Sequence, residues 1–127
     1  MQRENISTGS KWEPILGYSR AVKVGNMVFV AGTTGADAGG AFAPDAGEQA
    51  RQALKNIVAA LEKAGAKAAD VVRTRIFVTD ISRWEDIGRA HGEVFGTIRP
   101  AMAMVEVSKL IDPAMLVEIE ADAVIAG

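Results

Sequence analysis

From Ala21 onward the apolar positions change period in a regular order, and that order predicts the elements. Ala21-Val-Lys-Val and Met27-Val-Phe-Val are short β-prone runs, and Gly25-Asn26 between them suits a two-residue turn with positive φ, so the two form a hairpin. Small residues follow, Gly32-Thr-Thr-Gly and then Gly39-Gly40, as far as Pro44. Asp45 with Glu48 three residues on has the spacing of a capping box. Leu54, Ile57, Val58 and Leu61 then repeat at i, i+3, i+4 and i+7, which predicts a helix ending near Ala64-Gly65. From Val71 to Thr79 the period is two, with Val72, Thr74, Ile76 and Val78 on one face and Arg73, Arg75 and Phe77 on the other. Ser82 and Glu85 repeat the capping spacing, and Trp84, Ile87, His91 and Val94 or Phe95 give a second helical stripe ending near Gly96. Two more strands are predicted, over about Ala101–Ser108 and Met115–Ile125.

The predicted order is strand-strand-helix-strand-helix-strand-strand. Each helix has one stripe to cover, so the economical solution is an α+β domain spanning residues 1–127: one mixed sheet with both helices on one face. Strand parity then places Val105, Val107, Val117, Ile119, Ala121 and Ala123 toward the helices. Met102, Met104, Glu106, Glu118, Glu120 and Asp122 fall on the other face. That face mixes apolar and charged groups, a composition that calls for a partner subunit or a ligand.

Composition narrows the function classes. With 127 residues, 49% of them apolar, the chain has the size of one domain with one core. Net charge is −2 with both signs interspersed, so no basic stripe marks a nucleic-acid surface. Cysteine is absent, which removes disulfides, thiolate nucleophiles and cysteine-held metals. The start, Met1-Gln-Arg-Glu, lacks the apolar run of a signal peptide, and no stretch nears the roughly 18 apolar residues of a membrane span. A cytoplasmic protein is expected.

The candidate chemistry sits on the last strand. Glu118, Glu120 and Asp122 recur every second residue, so neighbouring carboxylates stand about 7 Å apart along one face. Their repulsion is about 0.6 kcal/mol in water and about 2.4 kcal/mol at an effective dielectric near 20. They are therefore solvated, paired with Arg73, Arg75 or Lys109, or partly protonated, and a partly dry carboxyl can serve as general acid or base. His91 is the only histidine; it lies on the apolar stripe of the second helix, which favours packing, although its titration range suits acid–base work. Gly32-Thr-Thr-Gly lacks the lysine of a phosphate loop and reads as a turn.

Gly17-Tyr-Ser-Arg-Ala-Val, Gly25-Asn-Met-Val-Phe-Val-Ala-Gly, Arg99-Pro-Ala-Met and the closing Val117-Glu-Ile-Glu-Ala together resemble the RidA/YjgF family of reactive-intermediate deaminases. The resemblance implies a chorismate-mutase-like fold and a homotrimer with small-molecule clefts between adjacent subunits. It also implies hydrolysis of enamines or imines to ketones and ammonia, without metal or organic cofactor. Carried over by position, Tyr18 matches a cleft aromatic, Gly32 a backbone contact to substrate, and Glu120 the acid that positions water. Met102 stands where the family has a carboxylate-binding arginine, which implies a substrate range other than 2-imino acids unless Arg75 or Arg99 supplies the cation. The runner-up is a trimer that binds a small ligand or partner without catalysis. The endoribonuclease or translation-inhibitor role also described for the family ranks below both, since there is no basic patch.

Overall fold

The computed structural model describes residues 1–126. Its strands are β1 (Arg3–Ile6), β2 (Ala21–Val24), β3 (Met27–Thr34), β4 (Val71–Val78), β5 (Ala101–Glu106) and β6 (Val117–Val124). The helices are α1 (Trp12–Leu16), α2 (Ala46–Lys63) and α3 (Trp84–Phe95), with short 3₁₀ turns at Ala68–Asp70 and Ile81–Arg83. One sheet runs in the order β1-β2-β3-β6-β4-β5. Every neighbouring pair is antiparallel except β4 and β5, which run parallel with α3 as the crossover between them. This is the predicted α+β architecture, one mixed sheet with two main helices.

The core lies between that sheet and the helices. Ala53, Leu54, Ile57 and Leu61 of α2 and Ile87, Ala90 and Phe95 of α3 join Val28, Val30, Ile76, Val78, Val117, Ile119 and Ala121 in a single buried cluster. Asp45 caps α2 as predicted, its side chain accepting from the Glu48 N–H at 3.0 Å. The hairpin turn falls at Gly25-Asn26, where Gly25 has φ 61°.

Four expectations are corrected. The periodicity did not predict β1 or α1, which are only four and five residues long. The cap before α3 is Asp80 and not Ser82: its carboxylate accepts from both the Ser82 N–H and hydroxyl, and the 3₁₀ turn it starts leads into α3. In β4 a register shift between Val71 and Arg73 buries Val71 and turns Val72 out, so Val72 does not share a face with Thr74 and Ile76.

The fourth correction concerns β5. Met102 pairs with Thr74, Met104 with Ile76 and Glu106 with Val78, so these three lie on the helix-bearing side. Ala101, Ala103 and Val105 share the opposite side with Arg73, Arg75 and Phe77. Apart from the terminal Glu106 both parities of β5 are apolar and the strand is a sheet edge, so alternation was a poor guide, and that one carboxylate pointed to the wrong face; only Met104 packs onto the core.

Candidate functional site

The face of the sheet away from α2 and α3 carries Phe29, Glu118, Glu120, Asp122, Arg75, Phe77 and Val105. Two structural irregularities shape it. In β3 the register shifts between Val30 and Thr33, so that Ala31 and Gly32 together oppose the single residue Glu120. The bulge carries Gly32 under the Glu118 side chain: a Cβ at position 32 would stand 2.5 Å from Glu118 Oε2. A side chain at position 32 would have to displace the Glu118 carboxyl from where it rests. The second irregularity is the end of α1, where Gly17 adopts φ 75° and its N–H and that of Tyr18 both bond the Glu13 carbonyl. That turn brings Tyr18 beside β2.

Arg20, just before β2, completes the arrangement. Its Nη2 donates to the Gly32 carbonyl at 2.7 Å, and its guanidinium carbon lies 5.5 Å from the centroid of the Tyr18 ring. Its Nε is buried without an acceptor. Glu118 responds to this setting. Burial raises its pKa above the ordinary glutamate value; the Arg20 charge pulls it back, and the neighbouring Glu120 adds to the rise. Glu118 is thus the open-face carboxyl whose proton is held more tightly than usual.

Glu120 has a different environment. Arg75 Nη1 lies 3.5 Å from Glu120 Oε1 and 3.3 Å from Asp122 Oδ2, so one guanidinium serves two carboxylates. Tyr18, Phe29, Arg75, Glu120 and Asp122 line an open cleft of about 470 Å³. Tyr18 also lines a larger cleft of about 830 Å³ with Arg20, Thr33, Phe42, Asn56 and Asp112. Tyr18, Gly32, Arg75 and Glu120, singled out in the sequence, therefore lie in one region of one chain.

Met102, His91 and Arg99 are not brought there. Met102 is on the other side of the sheet from Glu118 and Glu120, at its edge and half exposed. His91 is buried between α3 and β4, 2.8 Å from Thr74 Oγ1 and against the Phe95 ring at 4.8 Å between centroids, and burial lowers its pKa. Arg99 is exposed before β5, with φ 57°. No group of three or more His, Cys, Asp or Glu able to hold a metal occurs among the described residues. No helix among them is long and apolar enough to cross a membrane.

Sequence reasoning gave Glu118 no role of its own and passed over Arg20. Parity placed Glu118 on the right face but could not separate it from Glu120. What distinguishes them is the bulge, which needs the partner strand to be known. Arg20 adjoins Tyr18-Ser19 in the quoted motif, and a cation beside a cleft aromatic was the available signal.

A mixed six-stranded sheet with two helices on one face and a carboxyl–guanidinium–aromatic cluster on the other defines a small α+β protein with a polar open-face site. The family model described as Endoribonuclease L-PSP matches residues 8–125. The chain belongs to that family, the RidA/YjgF family. It is 35% identical over 125 residues to the 2-iminobutanoate/2-iminopropanoate deaminase of Salmonella typhimurium, covering 95% of this chain and 97% of that protein. It is 39% identical over 123 residues to a RutC family protein of Pyrococcus abyssi, covering 95% and 96% of the two chains. Among solved structures, a member of the YjgF/YER057c/UK114 family from Mycobacterium tuberculosis is 54% identical with a TM-score of 0.91, covering 98% of this chain and 100% of that one. The YjgF gene product of E. coli is 31% identical with a TM-score of 0.80, covering 94% and 91%.

Proposed function

We propose that the protein hydrolyses small enamine or imine metabolites to the carbonyl compound and ammonia, with Glu118 as general acid and base. The observation that carries this reading is the half-buried Glu118 carboxyl, raised in proton affinity and seated on Gly32 beside Arg20 and Tyr18. In its neutral form Glu118 gives its proton to the imine nitrogen. As carboxylate it takes a proton from the water that adds to the C=N carbon; it then returns that proton to the amino nitrogen of the adduct, and ammonia leaves as the adduct hydroxyl gives its proton back to Glu118 and the carbonyl forms. An enamine first accepts a proton at carbon and then follows the same course. Tyr18 packs on the substrate and Gly32 approaches it through its backbone. Glu120, held by Arg75, orders the cleft wall next to Glu118.

The name carried by the Salmonella typhimurium relative, at 35% identity across almost the whole chain, supports the same reaction class. The family model's description points to RNA cleavage instead, but the single histidine is buried in the core, hydrogen-bonded to Thr74 and shut away from the cleft. A substrate range other than 2-imino acids rests on Met102 standing in a cleft between subunits; within one chain Met102 lies half exposed on the edge strand β5, across the sheet from Glu118. The open face, with Phe29 and Val105 exposed among charges, is proposed to be covered by further copies in a homotrimer that closes the clefts, in the cytoplasm.

The test is ammonia release from freshly generated imines by the natural protein, Glu118→Gln and Glu120→Gln, with light scattering for the oligomer. General acid–base loss predicts a fall in kcat of about 100-fold or more for Glu118→Gln and a smaller one for Glu120→Gln. Equal activity of Glu118→Gln and the natural protein refutes the assignment. No release from any imine leaves a ligand-binding protein without catalysis.

A further inference from the structure

We infer that Arg20 is a positioning residue for the proposed deamination: its side chain clasps the β3 bulge and so fixes the seat on which the Glu118 carboxyl rests. The inference takes its chemistry from the deaminase reading, and its structural part stands without it.

A bulge disturbs the ladder locally, and Gly32, without a Cβ, adds backbone freedom at that point. Three polar groups of the bulge find partners away from β6. The Ala31 N–H donates to the Arg20 carbonyl at 3.0 Å, and the Ala31 carbonyl accepts from Thr33 Oγ1 at 2.7 Å. The Gly32 carbonyl accepts from Arg20 Nη2 at 2.7 Å. Arg20 therefore grips both bulge residues, one through its backbone and the other through a charged donor, the stronger kind of hydrogen bond. The guanidinium is steadied in turn by the Tyr18 ring, whose centroid lies 5.5 Å from its carbon.

The seat matters because Glu118 lies close against Gly32, with Oε2 only 2.5 Å from where a Cβ would stand. Rotation of the Gly32 peptide would move the surface beneath the carboxyl, and misplacing a reacting group by about 1 Å costs about 100-fold in rate. Arg20 also brings charge to this point. Thr34 of β3 and Phe77 of β4 flank Glu118 and are uncharged. On its own strand Glu120 adds a like charge, and Arg75 is engaged by Glu120 and Asp122. Arg20 is thus the cation that helps a half-buried carboxyl give up its proton, as an acid that must also serve as base has to do.

Arg20→Met removes both charge and donor at similar length, whereas Arg20→Lys keeps the charge on a flexible stem without the planar fork. The Glu118 carboxyl is titrated by carbon NMR in each protein, and ammonia release from fresh imines is followed over the same pH range. In Arg20→Met the Glu118 midpoint is expected to rise, the pH–rate profile to move up with it, and kcat to fall about 100-fold with a smaller change in KM. In Arg20→Lys the midpoint stays near the natural one and kcat recovers in part. An unmoved midpoint in Arg20→Met, or a rate lowered without displacement of its pH profile, marks Arg20 as merely structural and overturns the inference. Amide exchange at Ala31 should quicken in Arg20→Met, and unchanged exchange refutes the clasp. Should the variants not fold, the natural protein decides: the buried Arg20 Nε–H signal should shift as Glu118 titrates, and a signal blind to that titration refutes the inference. If no imine is turned over while the Glu118 midpoint still follows Arg20, the deaminase reading fails and the clasp stands. Turnover that depends on Glu118 but not on Arg20 has the opposite meaning.

Discussion

Gln49 holds together the segments that wall the larger cleft, and replacing it with methionine isolates that role. The side chain is 1% exposed in the first turn of α2. Its Nε2 donates to the carbonyls of Ala43 at 2.7 Å and Ala114 at 2.8 Å, and its Oε1 accepts from the Leu116 N–H at 2.8 Å. Methionine keeps the volume and loses all three bonds. Three part-buried backbone groups lose their partner, at about 1–3 kcal/mol each where water is shut out and less where it reaches them, so the expected loss is about 2–5 kcal/mol. Against a typical domain stability of about 5–15 kcal/mol this is a severe lesion. Urea unfolding at one fixed protomer concentration measures it, since any association adds to apparent stability. The effect should reach the site too, because Phe42 and Met115, next to Ala43 and Ala114, line the cleft. A midpoint shift worth less than about 1 kcal/mol would refute the reasoning, because it would mean that the three backbone groups find other partners at little cost.

Two predictions concern pH. The folded-state pKa of Glu118 lies above its unfolded value, so its stabilising share is complete below the unfolded value and disappears as pH rises through the folded one. Glu118→Gln should therefore gain thermal stability relative to the natural protein as pH is raised from 4 to 8, and parallel melting curves across that range would contradict it. His91 has its folded pKa lowered by burial, so its contribution is complete above the ordinary histidine value of 6.5 and is lost as pH falls below it. His91→Gln, which keeps a partner for Thr74, should lose less stability than the natural protein between pH 7 and 5; an equal or greater loss in scanning calorimetry would sink that account.

The fold was legible wherever a long element had one face to bury. Leu54, Ile57 and Leu61 marked α2, and Val117, Ile119, Ala121 and Ala123 marked β6, because each repeat has a core side and a wet side. It was illegible where that contrast vanishes. In β5, Met102 and Met104 alternate with Ala103 and Val105, both sets apolar, and the parallel pairing that settles their sides depends on β4. Val71 and Val72 were equally ambiguous until the bulge in β4 buried the first and exposed the second. The site followed the same rule. Tyr18 and Gly32 could be carried over by their motifs, but the choice between Glu118 and Glu120 depends on a β3 bulge that no single-strand pattern encodes.

That bulge also couples charge to chemistry on the proposed reading. Arg75 with Glu120 and Asp122 forms a group of one cation and two acids, already one negative charge in excess. Arg20 and Glu118 cancel when both are ionised, and a proton on Glu118 leaves one positive charge beside Gly32. Arg20 is the one charge that favours the Glu118 carboxylate, while burial and the neighbouring Glu120 favour its proton. Glu120 differs in its surroundings, because it shares the single cation Arg75 with a second carboxylate, Asp122. The two acids are chemically alike on one strand face, and it is the partner each is given by β3 and β4 that separates them.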